Sequence, residues 1–127
     1  MKPVKRLSGV LIGVLATVAL LLGVSVAPAQ ASPTVGNIGL GSSNTSGVRC
    51  VQAGLNYVGG QGLTVDGRFG QATKGAVENF QRFFGLGVDG IVGKATGTAL
   101  IDMVNYKAGY PMWPHGGGCW SVIPTYA

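Results

Sequence analysis

An eight-residue pattern, D-G-x-x-G-x-x-T, occurs twice in this 127-residue chain. The first copy spans residues 66–73 and the second spans residues 89–96. Their starts lie 23 residues apart (89 − 66), which leaves room for one helix and one short loop between them. An Asp-Gly pair favours a turn, because the carboxylate accepts backbone N–H bonds and glycine adopts positive φ easily. The repeat therefore predicts two equivalent loop-to-helix junctions in a small helical module.

The conserved positions of the two copies are interpreted as structural. The second glycine of each copy lies at a helix N-cap, and the threonine three residues later can return a hydroxyl bond to the loop. Phe69 and Val92, between the glycines, are expected to point inward. A catalytic carboxylate pair needs two different environments, whereas a repeat supplies matching ones, and a calcium loop needs more acidic residues. The predicted turn residues are Asp66, Gly67, Gly70, Thr73, Asp89, Gly90, Gly93 and Thr96.

Residues 1–31 are predicted to be a secretory signal peptide. Three basic residues precede an apolar run at 10–26, and the sequence A-Q-A at 29–31 provides a cleavage site. An uncleaved membrane anchor is the alternative, but glycine and serine interrupt the run. Cleavage removes three of the nine basic residues, so the net charge falls from +5 to +2 (6 − 4). Because no Lys/Arg stripe remains, neither nucleic acid nor, after cleavage, a membrane is an expected partner.

Both cysteines, Cys50 and Cys119, lie in the part predicted to be exported. An even number of cysteines in a short secreted chain is typical of disulfide bonding, and two cysteines allow one pairing. A metal site or a catalytic thiol would need partners, yet His115 is the only histidine and no C-x-x-C motif occurs. The sequence therefore predicts one disulfide, with no metal and no cofactor.

Helical periodicity indicates an all-α fold, a small three-helix bundle over residues 45–104. Residues 32–44 lack an apolar period and are predicted to be a flexible lead. Thr45 or Ser46 is expected to cap the first helix, and Gly85 to end the second. The expected apolar stripes are Val48, Val51, Gln52 and Leu55, then Ala72, Ala76, Val77, Phe80 and Phe84, then Ala95, Ala99, Leu100 and Met103.

Residues 105–127 are predicted to form an irregular tail that the disulfide ties back to the first helix. Their density of proline and glycine disfavours helix. The tail carries Trp113 and Trp120, and in so small a domain an aromatic side chain more often covers the core than presents a face to a sugar.

Three motifs carry a resemblance to a known family. They read V-x-x-V-Q-x-x-L at 48–55, D-G-x-F-G-x-x-T-x-x-A-V-x-x-F-Q at 66–81 and G-L-x-V-D-G-I-V-G-x-x-T at 85–96. In this order they resemble the peptidoglycan-binding domain of the type 1 family, over a stretch of about 47–100. The resemblance implies a compact three-helix bundle that binds bacterial cell-wall peptidoglycan, usually as an accessory to a lytic or remodelling enzyme.

One position departs from the family pattern. The family usually has an aromatic residue, often tryptophan, directly after the second threonine, and this chain has Gly97 there. The smaller residue should loosen the third helix and leave apolar space. We expect Trp113 or Trp120 of the tail to fill that space.

The predicted function is that of a secreted, non-catalytic binder of peptidoglycan, located outside the cell or at the cell wall. Arg68 stands where the second repeat has Ile91, so turn formation does not require it, and it can pair with a stem-peptide carboxylate. The other polar or aromatic candidates lie near helix ends or in the tail. The expected ligand-binding residues are Arg68, Asn56, Tyr57, Gln81 and Trp113.

Two other function classes stay open. One is a secreted protein-interaction or inhibitor module built on the same bundle. The other is a small cell-wall hydrolase or an accessory subunit of one, with a cell-wall enzyme as partner. Hydrolysis would require the few acidic residues and the single histidine to converge in a cleft. Those residues are Asp66, Glu78, Asp89, Asp102 and His115.

Overall fold

The computed structural model describes residues 35–113 and 118–126. They contain three α-helices, α1 (Thr45–Gly59), α2 (Gln71–Phe83) and α3 (Lys94–Ala108), and a 3-10 turn at Gly118–Ser121. Within these residues β-pairing is limited to one isolated bridge. The prediction of an all-α three-helix fold is thus confirmed. The predicted signal peptide and His115 lie outside the described residues.

Each of the three helices begins after an N-cap residue of a type that favours a helix start. Gly70 and Gly93 are the N-caps of α2 and α3, as the repeat predicts. The α1 cap is Asn44, one residue before the expected positions, and its Oδ1 accepts a 2.9 Å bond from Gly47 N. At the other end, α3 continues to Ala108, beyond the predicted boundary at residue 104.

The core draws on all three helices and on the segments before and after them. Phe69 and Val92 of the repeat loops are buried as predicted. The buried face of α3 contains Ile101 and Val104, whereas Ala95, expected on that face, is exposed. The face is shifted because the tail covers a second side of this helix. The buried apolar residues are Ile38, Val48, Val51, Leu55, Phe69, Ala76, Val77, Phe80, Val92, Leu100, Ile101, Val104 and Ile123.

The described part of the lead, residues 35–44, packs on the two repeat loops. Ile38 is fully buried and exchanges two backbone hydrogen bonds with Val92, of 3.0 and 2.8 Å. Gly41 N donates to the carbonyl of Phe69 at 3.2 Å. Phe69 and Val92 occupy the same position in the two repeats, so the lead connects equivalent points of the two loops. The composition predicts a flexible lead and does not predict this contact.

The tail is tied to α1 by the predicted disulfide between Cys50 and Cys119. Ile123 is buried, and a Cβ atom on Gly97 would overlap the carbonyl oxygen of Pro124 and lie 2.7 Å from Ile123 Cγ2. The space beside Gly97 is therefore filled by residues 123–124, and the expectation that a tryptophan fills it was wrong.

The two tail tryptophans are half-buried and pack against the core. Trp113 lies on α1, where one of its ring carbons would be 2.8 Å from a Cβ atom on Gly54. This arrangement agrees with the interpretation of Trp113 and Trp120 as core cover.

Candidate functional site

A glutamine from the preceding helix holds each repeat loop. In the first repeat this residue is Gln52 of α1, which is 1 % exposed. Its Nε2 donates to Asp66 Oδ1, the Arg68 carbonyl and Thr73 Oγ1, at 3.0, 3.0 and 3.1 Å. Its Oε1 accepts from the backbone N–H groups of Asp66 and Gly67, at 3.1 and 3.0 Å. One buried amide thus satisfies five polar groups of the loop. We call this arrangement the glutamine clamp.

The second repeat has the same glutamine clamp, formed by Gln81 of α2. Its Nε2 donates to Asp89 Oδ1, the Ile91 carbonyl and Thr96 Oγ1, at 2.8, 2.9 and 3.1 Å. Its Oε1 accepts from the N–H groups of Asp89 and Gly90, at 3.1 and 3.0 Å. Gln81, a predicted ligand-binding residue, is 1 % exposed, and its side-chain amide bonds to groups of the second repeat. The threonine hydroxyls likewise bond to the clamp glutamines, where a bond back to the loop was expected.

The sequence contains a signal for the clamp that the repeat alone does not reveal. Both glutamines lie in the pattern V-x-x-hydrophobic-Q-x-x-hydrophobic, at 48–55 and 77–84. Gln52 precedes its aspartate by 14 residues and Gln81 precedes its aspartate by 8, so the first connection is longer by 6 (14 − 8). The repeated unit is therefore a helix end, a loop and the next helix start, with an insertion in the first copy.

Asn56 fixes the inserted residues of the first connection. Its Nδ2 donates to the carbonyl of Leu63 and its Oδ1 accepts from Leu63 N, both at 2.7 Å. The pairing gives both backbone groups of Leu63 a hydrogen-bond partner, although Leu63 lies outside any helix or strand. Asn56, a predicted ligand contact, thus holds the loop against α1.

The two turn aspartates are ionised structural residues. Asp66 Oδ1 accepts from Arg68 N, and Asp89 Oδ1 accepts from Ile91 N, both at 2.9 Å. These backbone bonds, and next the amide of the clamp glutamine, lower the pKa of each carboxyl below its usual value of 3.8. The glycine after each aspartate has φ of 78° and 70°, as a turn of this kind requires.

A groove of about 590 Å³ opens at the first repeat. The inserted loop residues 61–64 form one side, and the other side is α2, where the exposed Ala72, the half-buried Gly75 and the buried Ala76 are small. The exposed Arg68 borders the groove. The full lining is Gln52, Gln61, Gly62, Leu63, Thr64, Asp66, Arg68, Gly70, Gln71, Ala72, Thr73, Gly75, Ala76 and Asn79.

The tail contacts the corresponding face of α3 at the second repeat. Thr98 stands 23 residues after Gly75 (98 − 75), and its Oγ1 accepts a 2.9 Å bond from Tyr126 N. By contrast, a Cβ atom on Gly75 would meet nothing within 4 Å. The two repeats therefore share a framework but differ in what covers the helix that follows.

The structure does not bring the five predicted ligand residues together at one site. Arg68 borders the groove. Tyr57 lies under Lys107, whose Nζ is 5.2 Å from the ring centroid and also donates a 2.6 Å bond to the Tyr57 carbonyl. Trp113 packs on α1, as described above. The groove is thus defined by Arg68, the inserted loop and α2.

Glu78, the one acidic residue of α2, has a partner on its own helix. Glu78 pairs with Lys74 at 3.3 Å, one turn away. Within residues 35–113 and 118–126, no group of three or more His, Cys, Asp or Glu side chains is placed to hold a metal ion. None of the helices in this described part has the length and apolar character needed to span a membrane.

The part of the chain that carries both repeats matches a known family. Residues 44–100 match the family described as "Putative peptidoglycan binding domain". This range includes α1, α2, both glutamine clamps and the first half of α3. The likeness to this family is therefore shown for residues 44–100. No solved structure matches the chain.

Curated proteins similar to this chain include spore cortex-lytic enzymes and a zinc D-Ala-D-Ala carboxypeptidase. A spore cortex-lytic enzyme of Oceanobacillus iheyensis is 40 % identical over 60 residues, which are 47 % of this chain and 22 % of the enzyme. The zinc D-Ala-D-Ala carboxypeptidase of Streptomyces albus G is 44 % identical over 71 residues, 54 % of this chain and 27 % of the enzyme. A spore cortex-lytic enzyme of Bacillus cereus is 43 % identical over 56 residues, 44 % and 22 % of the two chains. The similarity thus spans about a quarter of each relative.

Proposed function

We propose that this chain is an exported, non-catalytic protein that binds bacterial peptidoglycan at the groove of the first repeat. The observation that carries the proposal is the family match, which covers residues 44–100 and so contains the whole groove. The names of the relatives place similar segments in enzymes that act on wall material.

The difference between the two repeats supports the position of the binding site. Both have the same clamp and the same turn, so these features serve the fold. The groove is bordered by features of the first repeat that the second lacks: a longer connection, an arginine and an uncovered helix face. The volume of the groove lies in the range of ligand sites, and polar side chains make up more than half of its lining residues.

The roles of the acidic residues support binding without catalysis. Asp66 and Asp89 stabilise the turns of their own loops, and Glu78 pairs with Lys74. Asp66 and Asp89 have matching environments, whereas acid–base hydrolysis needs two carboxyls whose pKa values differ. Glu78 and the exposed Asp102 are not among the residues that line the groove.

Co-sedimentation with purified insoluble peptidoglycan tests the proposal. Arg68→Ile is the sharpest variant, because Ile91 makes the same backbone bonds in the second repeat and the fold therefore tolerates isoleucine. We expect saturable binding that is lost on unfolding and weakened about tenfold by Arg68→Ile. Lys94→Gln, which removes an exposed lysine at the start of α3 that does not line the groove, is the charge-matched control and should bind as the unchanged protein does.

Two further measurements complete the test. Tyr57→Ala and Trp113→Phe examine whether these predicted contacts add to wall binding at the end of α1. Intact mass of the protein recovered after export should correspond to residues 32–127 if the signal is cleaved after Ala31. Absence of wall binding by the folded protein would reject the proposal and favour a protein partner.

A further inference from the structure

We infer that the groove of the first repeat binds the peptide part of peptidoglycan, with a peptide carboxylate beside Arg68, and does not bind the glycan strand. This inference rests on the proposed function and specifies which component of the wall is recognised. It follows from the chemistry of the lining, the backbone groups of the inserted loop and the shape of the α2 face.

The lining of the groove lacks the side chains that bind sugar rings. Sugar recognition commonly uses the flat face of an aromatic residue. In the described part of the chain, no aromatic residue lines the groove, and the highly exposed Phe83, Tyr106 and Tyr110 are not among its lining residues. The lining instead carries the side-chain amides of Gln61, Gln71 and Asn79. Asn79 Oδ1 accepts a 3.1 Å bond from Arg82, and Gln61 Nε2 donates a 3.4 Å bond to the Gly59 carbonyl, so each of these two amides keeps hydrogen-bonding capacity on its other atom. Amides both donate and accept hydrogen bonds, which matches the alternating N–H and C=O groups of a peptide.

The inserted loop supplies backbone groups that a peptide can pair with. Both backbone groups of Leu63 are bonded to Asn56, so the loop is held in place from the α1 side. Among the described residues, the backbone groups of Gln61, Gly62 and Thr64 have no hydrogen-bond partner, and all three residues line the groove. Unpaired main-chain groups on a fixed segment are what a bound peptide uses for main-chain recognition.

The opposite side of the groove allows a main chain to approach closely. Ala72 and Gly75 present at most a methyl group each, and a Cβ atom on Gly75 would meet nothing within 4 Å. Arg68 places a positive charge at the edge of this space. A guanidinium pairs with carboxylates in a bidentate manner, and stem peptides carry carboxylates whereas the sugar hydroxyls are neutral.

Three ligands separate the components of the wall in a titration followed by the backbone amide spectrum of the full protein. They are the stem tetrapeptide released from purified wall, the same peptide with its carboxylates converted to amides, and a chito-oligosaccharide as a glycan without carboxylates. We expect the tetrapeptide to shift the amides of residues 61–64 and Arg68 saturably. The amidated peptide should bind about tenfold more weakly, and the glycan should leave these amides unchanged.

Two variants test charge and shape separately. Arg68→Ile should weaken the tetrapeptide about tenfold and make the two peptides equal in affinity. Gly75→Leu should abolish tetrapeptide binding by filling the groove, while the melting temperature stays equal or rises, because leucine favours helix over glycine. The unchanged melting temperature distinguishes a blocked groove from a damaged fold.

The outcomes distinguish this inference from the proposed function. Glycan shifts at residues 61–64, or tetrapeptide binding that neither variant alters, would overturn the inference. A protein that sediments with intact wall but does not bind the tetrapeptide would also overturn the inference, while the proposed function stands. A protein that binds neither intact wall nor any of its parts would reject both.

Discussion

Replacing Gly97 with alanine should destabilise the protein, although alanine is the better helix former. Gly97 lies inside α3, where the substitution gains about 1 kcal/mol of intrinsic helix propensity. The added methyl group would overlap the Pro124 carbonyl oxygen and crowd Ile123 Cγ2. The carbonyl belongs to the backbone and cannot rotate away as a side chain can, so residues 123–124 must withdraw from α3.

The loss of folding free energy can be estimated from the side chain that withdrawal of the tail exposes. Ile123 is 1 % exposed, and the loss of a fully buried isoleucine from the core costs about 1.5–3 kcal/mol. If the tail stays in place instead, overpacking costs about 1–3 kcal/mol. Subtracting the gain of about 1 kcal/mol in helix propensity leaves a net loss of about 0.5–2 kcal/mol if the tail withdraws, and of up to about 2 kcal/mol if it stays. In a domain of this size, a loss of about 0.5–2 kcal/mol lowers the melting temperature by roughly 2–16 °C.

Gly75→Ala is the matched control, because Gly75 also lies inside a helix but has open space in front of it. It should stabilise the protein by about 0.5–1 kcal/mol. Urea unfolding of the oxidised proteins, followed by circular dichroism, measures both changes. Hydrogen exchange at the Tyr126 amide, which bonds to Thr98, should accelerate in Gly97→Ala and not in Gly75→Ala. A Gly97→Ala protein as stable as Gly75→Ala would refute the assignment of this space to the tail.

Three other predictions test the framework. Gln52→Leu and Gln81→Leu should each cost about 2–4 kcal/mol in urea unfolding, since each leaves a buried N–H unpaired; a difference above about 2 kcal/mol would show that the clamps are not equivalent. Removing the disulfide with Cys50→Ala and Cys119→Ala should cost up to about 4 kcal/mol for a separation of 69 residues, and reductant should then have no further effect. Because the pKa of each turn aspartate is lowered on folding, its contribution is present above pH 3.8 and lost as pH falls through the lower folded value. Asp66→Asn should flatten that part of the stability profile, and an unchanged profile would contradict the role of the turn.

The sequence predicts those features whose causes are local. The N-caps at Gly70 and Gly93 and the turns at the two aspartates depend on residues within one turn of each other, and the structure agrees at all these points. Arg68 could be selected because the repeat offers an internal comparison. At the same position the second copy has Ile91, so the framework does not need a charge there.

Apart from the disulfide, features that depend on distant residues were not predicted. The clamp joins residues 14 positions apart, and Gln52 was hidden because it occupies a helical position of the apolar stripe. Asn44 bonds to the Val122 carbonyl across 78 positions, and no local pattern connects the lead with the tail. Ile38 has only Val35 and Leu40 as apolar neighbours among glycine and polar residues, and three apolar residues at these positions match neither a helical nor a strand period. Burial at such points follows from the assembled fold.

Comparison of the two copies separates residues that build the fold from residues that are free for another role. Positions with the same residue type and the same bonds in both copies, such as the aspartates and the clamp glutamines, are accounted for by folding alone. The second copy is further covered by the tail at Thr98. Near the first copy, Gly75 is left open, the inserted loop is held by Asn56, and Arg68 makes only backbone bonds within the framework. Because folding does not account for these differences, the first repeat is where selection for a ligand would act, and substitutions there should change binding with little effect on stability.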